Sequence, residues 1–321
     1  MDIFDRRAAS PMLIAVESDP FDSTEYLFEL KMDGERCLAY LGDGVTELVN
    51  RRHRRLLPQF PELATLHEQV GGRCILDGEM IVGLGGKADF ESIKRRTLVK
   101  NPFTIRRLAA ELPCIFVALD ILYKDRELIT ALPLSERKKV LADTISDSTQ
   151  MSVVRTVDTY GNDFFRLVRE KNLEGVIAKR KGSFYRMGKR TREWAKFKNW
   201  EEADFVICGY VRKEGVAVAS LVLGQYDAAK MLRYKGRVTL GLHREDFAVV
   251  EKAPKTKSPL FGEPVPRESA DAVWLEPRLV CRVGFMCWTA GKRLRQPFYK
   301  QLQPNMQPYA AREPKGIVPC T

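Results

Sequence analysis

Histidine is scarce in this chain: of 321 residues only His53, His67 and His243 are histidine, widely spaced and in no HExxH arrangement. A histidine-built zinc centre is therefore excluded. Cysteine offers no better metal site. The seven cysteines (37, 74, 114, 208, 281, 287 and 320) form no CxxC pair, are odd in number and mostly lie in apolar, strand-like runs. They read as buried reduced thiols, not as a disulfide framework. Any catalytic metal must then be held by carboxylates. Long apolar runs are also missing. The most apolar stretch, 114–123, is broken by Asp120, far short of the roughly 18 apolar residues that a membrane helix needs. The N-terminus carries acids before any apolar run, and the run at 12–16 is too short for a signal-peptide core. The expectation is a cytoplasmic protein with no membrane span. Internal repeats and low-complexity tracts are absent as well.

What the sequence does have is length and positive charge. At roughly 150 residues per domain, 321 residues allow two domains, each with its own core. Lys plus Arg (53) exceeds Asp plus Glu (42) by 11 in a chain that is 45% hydrophobic and 30% charged. That balance describes a globular protein with a positive field. The field favours a polyanionic partner and leaves nucleic acid, nucleotide and anionic lipid open. The excess divides as +5 before residue 201 and +6 from there on, so a ligand between two domains would meet positive potential from each.

Residues 26–30 and 37–41 run apolar or alternate on either side of the polar KMDGE, which predicts strand, tight turn, strand. Further strands are expected at 74–76 continuing through 79–82, at 115–122 and at 175–179. Helices are expected at 62–70, 135–142 and 162–171, where apolar residues recur at three and four. The mixture predicts an α+β domain, not a regular βαβ array. After Lys198 the pattern changes. Segments 204–211, 216–226, 231–239 and 279–288 are strand-like and punctuated by glycine, which predicts a small all-β barrel. A polar hinge at 199–203 divides the chain into domains 1–200 and 201–307, with a loosely ordered Pro-rich tail at 308–321.

Lys31-Met32-Asp33-Gly34-Glu35-Arg36 is the first constellation with chemistry in it. A lysine attacks phosphorus or carbonyl carbon only as the neutral amine, a small minority of free lysine near neutral pH. The end of an apolar strand, with a glycine allowing close backbone approach and an arginine nearby, is a place where desolvation and like charge favour that form. Alone, the hexapeptide fits a mixed-charge surface hairpin equally well.

Its company decides the matter. Arg51 follows a strand, Asp77-Gly78-Glu79 ends one, and the apolar FVALD ends in Asp120; EGVIAK (174–179) and WAKFK (194–198) come after, in that order. With PQFPEL (58–63), ILYKDRELITALPLSERKKVL (121–141) and SFYRMGKRTREWAKFK (183–198), the series resembles the covalent nucleotidyltransferases. Among these it is most similar to the ATP-dependent DNA ligases, of the compact bacterial type and the ligase modules of bacterial end-joining enzymes, over residues 10–305.

The resemblance implies an α+β nucleotidyltransferase (adenylation) domain followed by an all-β oligonucleotide-binding (OB) barrel. It implies Lys31 as the nucleophile that attacks the α-phosphorus of ATP, giving lysyl-AMP and pyrophosphate. AMP then passes to the 5′-phosphate of a nick, and attack by the 3′-hydroxyl seals the strand. By the same carry-over Lys196 and Lys198 belong on the α-phosphate and Asp33 near the nick terminus. Arg36 and Arg51 orient the nucleotide and the nick 5′-phosphate. Glu29, Leu119 and Lys179 belong to the nucleotide shell. Glu174 and Glu79 are the carboxylates for Mg²⁺, with Mn²⁺ as the alternative ion; one or two carboxylates plus substrate phosphates is the usual Mg²⁺ arrangement. The i, i+2 spacing of Lys196 and Lys198 on a strand also puts both ammonium groups on one face.

The basic runs at 51–55, 94–96, 179–181 and 186–198 flank these segments, which predicts phosphate-backbone contacts with low sequence preference. The expected partners are nicked duplex DNA and ATP, met by a monomer that lies with the nucleoid if the source is bacterial. The short stretch before the first strand leaves encirclement of DNA to the two domains. Competing readings are an RNA ligase, a capping guanylyltransferase, and a non-catalytic protein that binds DNA or nucleotide. Two positions depart from the family pattern. Leu119 stands where many relatives have an aromatic residue over adenine. The barrel's final LRxDK segment reads Leu302-Gln303-Pro304-Asn305-Met306, which loses two cations that orient pyrophosphate. Slow self-adenylylation is the expected consequence, with Arg293, Arg295 or Lys300 as substitutes.

Overall fold

The computed structural model describes residues 2–84, 87–212, 219–289, 291–314 and 316. The chain divides between Asn199 and Trp200 into two compact units. The first begins with α1 (Ile3–Arg6), β1 (Leu13–Glu17), β2 (Ser23–Leu30), β3 (Glu35–Gly42) and β4 (Val45–Asn50), then β5 (Cys74–Leu84), β6 (Lys87–Ala88), α2 (Phe90–Leu98) and α3 (Pro102–Glu111). It continues with β7 (Cys114–Lys124), β8 (Glu127–Leu128), α4 (Leu134–Thr144), β9 (Met151–Val153), β10 (Thr156–Thr159), α5 (Gly161–Glu170), β11 (Gly175–Arg180) and β12 (Arg190–Lys198).

These strands form two sheets. The smaller has the order β1-β12-β11-β2-β10, and the larger is built on β4-β3-β5-β7-β8, with β6 and β9 paired to β5 and β7. Strict alternation gives each sheet two chemically different faces. In the smaller sheet Phe28, Val176, Ala178, Ala195 and Phe197 turn to one side and pack with Phe164, Phe165 and Val168 of α5. Each aromatic ring buried there stabilises the layer by roughly 1.5–3 kcal/mol. In the larger sheet Cys37, Ala39, Leu76, Met80, Phe116 and Ala118 point into the main core, where Leu141 of α4 and Ile93 of α2 close over them. Leu38, Tyr40, Ile75 and Leu122 point the other way and meet Tyr185 and Trp194. The remaining face of the smaller sheet is left for polar side chains.

The second unit comprises β13 (Glu201–Val211), β14 (Ser220–Tyr226), β15 (Leu232–Val238), α6 (Arg244–Glu251), β16 (Val273–Phe285), β17 (Cys287–Trp288), β18 (Leu294–Arg295) and β19 (Phe298–Leu302). Its main sheet has the order β15-β14-β13-β16-β19. Shifts of register between Ile207 and Gly209 let β13 pair with both β14 and β16 while bending. Phe205, Ile207, Leu221, Val283 and Trp288 fill the interior, with Phe247 and Val250 of α6 against them.

Several expectations need correction. Residues 62–70 form short 3₁₀ turns, Pro61–Leu63 and Leu66–Gln69, and no α-helix; the prolines beside them favour tight turns over propagation. The strand expected at 74–76 continuing through 79–82 is β5, as read from the sequence. Helices α2, α3 and α6 were not expected. Part of the expected strand 216–226 lies outside the described residues. The tail is ordered at its start: the Tyr226 amide donates to Ala311 (2.9 Å), the Glu313 amide donates to Tyr226 (2.9 Å), and Tyr309 stacks on Tyr226. Among the cysteines, 37, 74, 114, 208 and 281 are buried and free as expected, but Cys287 is disulfide-bonded. No helix among the described residues is long and apolar enough to cross a membrane.

Candidate active site

The polar face of the smaller sheet collects side chains that are far apart in sequence. Glu29, Ile177, Lys196 and Glu17 are register partners across β2, β11, β12 and β1, so all four project from one side. One pleat along, Gly175 faces Lys198; in the other direction Lys179 faces Trp194. Lys196 and Lys198 share the Glu17 carboxylate at 3.4 and 3.7 Å. Their common face is therefore realised.

Lys31 leaves the end of β2 with its amide bound to the Gly175 carbonyl (2.9 Å). Its Nζ donates to Oε1 of Glu174, the residue just before β11. Gly175 has to be glycine: a Cβ there would meet the Phe197 carbonyl oxygen at 2.1 Å. Gly34 is equally constrained, since its Cβ would lie 2.3 Å from the Met80 carbonyl oxygen. The first approach packs β11 against β12, and the second brings the Lys31 loop against β5.

From the larger sheet come Arg36 and Glu79, register partners on β3 and β5. Arg36 makes a two-pronged ion pair with buried Asp77, both contacts 2.6 Å, and the Tyr185 hydroxyl donates to the same carboxylate at 2.6 Å. That arrangement fixes the guanidinium plane. Burial pushes the Glu79 carboxyl up to about 8; Arg36 and Lys31 pull it down, while Glu174 and Asp77 push it further up. Glu79, Glu174, Lys31 and Arg36 thus act electrostatically as one group. Lys198 belongs to it too: burial lowers its amine, Glu17 opposes that, and Lys196 and Lys31 add to the lowering.

Deeper in the site lies a three-membered cluster. Glu29 is buried between Lys138, in contact with its Oε1, and Lys179, 2.7 Å from its Oε2. Both lysines also donate to the Leu119 carbonyl, at 2.9 and 3.3 Å. The Lys179 ammonium lies 4.5 Å from the centre of the Trp194 ring. Burial would raise the Glu29 carboxyl, but the two lysines override it and hold it below its ordinary value. One carboxylate cannot neutralise two ammonium groups, and burial lowers Lys179 to about 8. Leu119 itself packs with Val117, Val154 and Met32.

Of the residues expected from sequence, Lys31, Glu174, Glu79, Arg36, Lys196 and Lys198 come together, and Glu29, Lys179 and Leu119 form the adjoining cluster. Asp33 is half-buried on the Lys31 loop. Arg51 is exposed on the turn after β4, and none of the ion pairs or hydrogen bonds of the described residues ties it to Lys31. Four contributors were not anticipated: Glu17, Asp77, Lys138 and Tyr185. Lys138 had a signal in the SERKK segment, where Arg137 pairs with buried Asp120 at 2.8 Å and Lys138, next along the helix, reaches Glu29.

The basic runs divide. Arg96 of the 94–96 run is buried and holds Glu62 and the carbonyls of Gln59 and Leu112, so it serves the fold and not a phosphate. Lys179 of the 179–181 run is likewise buried. In the second unit the Gln303 amide donates to Val280 (2.8 Å), and Met306 packs beside Val280 and Ala311. Of the possible substitute cations, Lys300 is paired with Glu202, and Arg293 lies over the Tyr234 ring.

Two family models match the chain: the ATP dependent DNA ligase domain over residues 11–198 and the ATP dependent DNA ligase C terminal region over residues 214–305. The SPbeta prophage-derived DNA ligase-like protein LigB of Bacillus subtilis is 31% identical over 292 residues, covering 91% of this chain and 97% of that protein. The multifunctional non-homologous end joining DNA repair protein LigD of Mycobacterium tuberculosis is 31% identical over 295 residues, 89% of this chain but only 37% of LigD. Among solved structures, mycobacterial DNA ligase D complexed with ATP and MES matches at 28% identity with a TM-score of 0.55, over 98% of this chain and 100% of that one. A Lig E DNA ligase shares the fold, with a TM-score of 0.64 at 17% identity, over 92% of this chain and 99% of that one. The motif order, the convergence around Lys31 and these matches agree, and the chain belongs to the ATP-dependent DNA ligases, with a nucleotidyltransferase domain followed by an oligonucleotide-binding barrel.

Proposed function

We propose that the chain seals nicks in duplex DNA with Lys31 as its covalent nucleophile, residues 1–200 forming the adenylation domain and 201–307 the barrel. The observation that carries this reading is the convergence of Lys31, Glu174, Glu79, Lys196 and Lys198 from four separate motifs, on both sheets, around one site. The Lys31 amine loses a proton and forms a nitrogen–phosphorus bond to the α-phosphorus of ATP as the bond to pyrophosphate breaks. AMP next passes to the 5′-phosphate at the nick. The 3′-hydroxyl then attacks that phosphorus and releases AMP. Phosphoryl transfer asks the protein mainly for positioning and for neutralisation of non-bridging oxygens. Lys196 and Lys198 supply that charge. Arg36, held by Asp77 and Tyr185, orients the nucleotide, with Leu119 over the adenine and Lys179 and Glu29 behind it. Asp33 faces the nick terminus and Arg51 its 5′-phosphate.

Glu79 and Glu174 fit a hard divalent ion such as Mg²⁺ or Mn²⁺. Both offer oxygen donors, and burial of Glu79 beside like charges is the strain that a cation relieves. Among the described residues no group of three or more metal-ligating side chains stands together, in keeping with a site completed by substrate phosphates. A divalent ion held by Glu79 and Glu174 would neutralise charge on the substrate phosphates. The enzyme works as a monomer in the cytoplasm and, if its source is bacterial, at the nucleoid.

With Gln303, Asn305 and Met306 in the final barrel segment, the first step is slow relative to sealing. Labelled ATP with Mg²⁺ should give a covalent adduct that accumulates slowly, whereas a pre-adenylated nick is sealed promptly. Equal rates for the two would refute the slow first step, and an absence of adduct would refute the lysyl-AMP route. Nicked RNA should be sealed poorly; a preference for it would favour the RNA-ligase reading.

A further inference from the structure

Glu17 is an acid in a place that the reaction reserves for an anionic substrate. It is the last residue of β1, and its Oε2 lies 3.4 Å from the Lys196 ammonium and 3.7 Å from that of Lys198. Those are the two cations assigned above to the α-phosphate, and no step above uses Glu17. β1 runs parallel to β12 with Glu17 opposite Lys196, and register partners project to the same face. Lys198, two residues on, joins them. The carboxylate therefore stands where both ammonium groups converge.

The three side chains differ in freedom. β12 is paired on both sides, with β11 and with β1, whereas β1 ends the strand order of its sheet. The Ser18 amide donates to the Lys196 carbonyl at 3.2 Å, so the backbone beside Glu17 is held. Its side chain is the most exposed of the three, at 38% against 27% and 14% for the lysines. A change of rotamer at Glu17 releases both lysines and breaks no strand pairing. Burial works against the Lys198 charge and Glu17 supports it, the service that a phosphate performs in its place.

We propose that Glu17 is an internal stand-in for the α-phosphate, which occupies Lys196 and Lys198 ahead of the nucleotide, is displaced by it, and so sets the affinity for ATP. The inference rests on the assignment of these lysines to the α-phosphate under the ligase reading. A carboxylate and a phosphate oxygen cannot share the pair, because two anions at contact distance repel each other. The nucleotide prevails through its greater charge and its base contacts, and its net gain is what remains once Glu17 has been pushed aside. Glu17 acts through the two lysines and makes or breaks no bond; it is a positioning residue.

The test compares Glu17→Gln with Asp19→Asn, which removes the same charge from an exposed position on the same segment. Calorimetry with AMP and with adenosine measures binding, and labelled ATP with Mg²⁺ measures lysyl-AMP formation. Glu17→Gln should bind AMP about three- to fivefold more tightly, the effect of one partly exposed ion pair. It should lower the KM for ATP by the same factor, so that adduct forms faster at low ATP. Adenosine, which lacks the phosphate, should bind the variant and the wild type alike. Asp19→Asn should shift AMP binding by less than about twofold, since an exposed charge is screened. Unchanged AMP affinity in Glu17→Gln, or slower adduct formation at saturating ATP without tighter binding, would overturn the proposal and leave Glu17 a support for the lysines. Equal tightening in Asp19→Asn, or of adenosine, would overturn it as well. A wild type that forms no lysyl-AMP, with AMP binding still tightened by Glu17→Gln, would count against the lysyl-AMP reading and not against Glu17.

Discussion

Glu29 shows how much of the site is decided residue by residue. Its carboxylate is buried between Lys138 and Lys179 and held below the ordinary value of 4.5. A depressed folded-state value means stability that is present above 4.5 and lost as pH falls through the lower value of the folded state. Glu29→Gln should therefore unfold about 3–5 kcal/mol more easily at neutral pH, as a buried ion cluster loses its anion, with the difference shrinking in acid; chemical denaturation at several pH values measures it. Lys179 acts in the opposite window. With its amine lowered from 10.5 to about 8, the folded chain binds that proton less tightly than the unfolded one, so stability from this group rises between those values. That Lys31, Lys196 and Lys198 would come together was legible in the sequence, because they sit in short motifs and the i, i+2 spacing of the last two on a strand already fixes a face. Lys138, Asp77 and Glu17 were not, because each acts through a partner more than 40 residues away or on another strand. Nothing local distinguishes them from surface charges.

Among the elements, β2, β3, β7 and β11 were readable because their apolar runs match what the sheets bury. Helices α2 and α3 were hidden by their basic residues, yet each carries a start signal: Asp89 accepts from the Glu91 amide at 3.0 Å and Asn101 from the Thr104 amide at 3.1 Å. The pairing of Asp120 on β7 with Arg137 on α4 ties a helix to the strand that carries Leu119; both side chains are fully buried. Asp120→Asn leaves the Arg137 charge uncompensated and should lower stability by about 3–5 kcal/mol, read as a fall in Tm. Gly175→Ala tests the junction of β11 with β12. Its added methyl collides with the Phe197 carbonyl, so the strand must shift Glu174 away from Lys31. The expected result is a loss of about 1–3 kcal/mol in stability together with slower adduct formation.

For the whole molecule, net charge of +11 favoured a polyanionic partner without naming one, and the structure redistributes that charge. Arg96 and Lys179, both within the basic runs, are buried in ion pairs inside the fold, so the cations left for DNA are fewer than those runs imply. Affinity for nicked duplex should still fall with salt along a log–log slope near −0.9 per neutralised phosphate; a flat response between low and moderate salt would show that the remaining field does not engage DNA. The division into an α+β unit and a barrel was legible because glycine-punctuated strands replace mixed elements after Lys198. The ordered start of the tail was not, since its anchor is a stacking of Tyr309 on Tyr226 across more than 80 residues. The central claim, that Lys31 is the covalent nucleophile of a nick-sealing enzyme, is tested most directly by sealing of a labelled nicked duplex with ATP and Mg²⁺, comparing the wild type with Lys31→Ala. The account predicts joined product from the wild type and none from the variant, with duplex binding retained by both. Equal joining by the variant, or no joining by a wild type that still binds the nick, would contradict it.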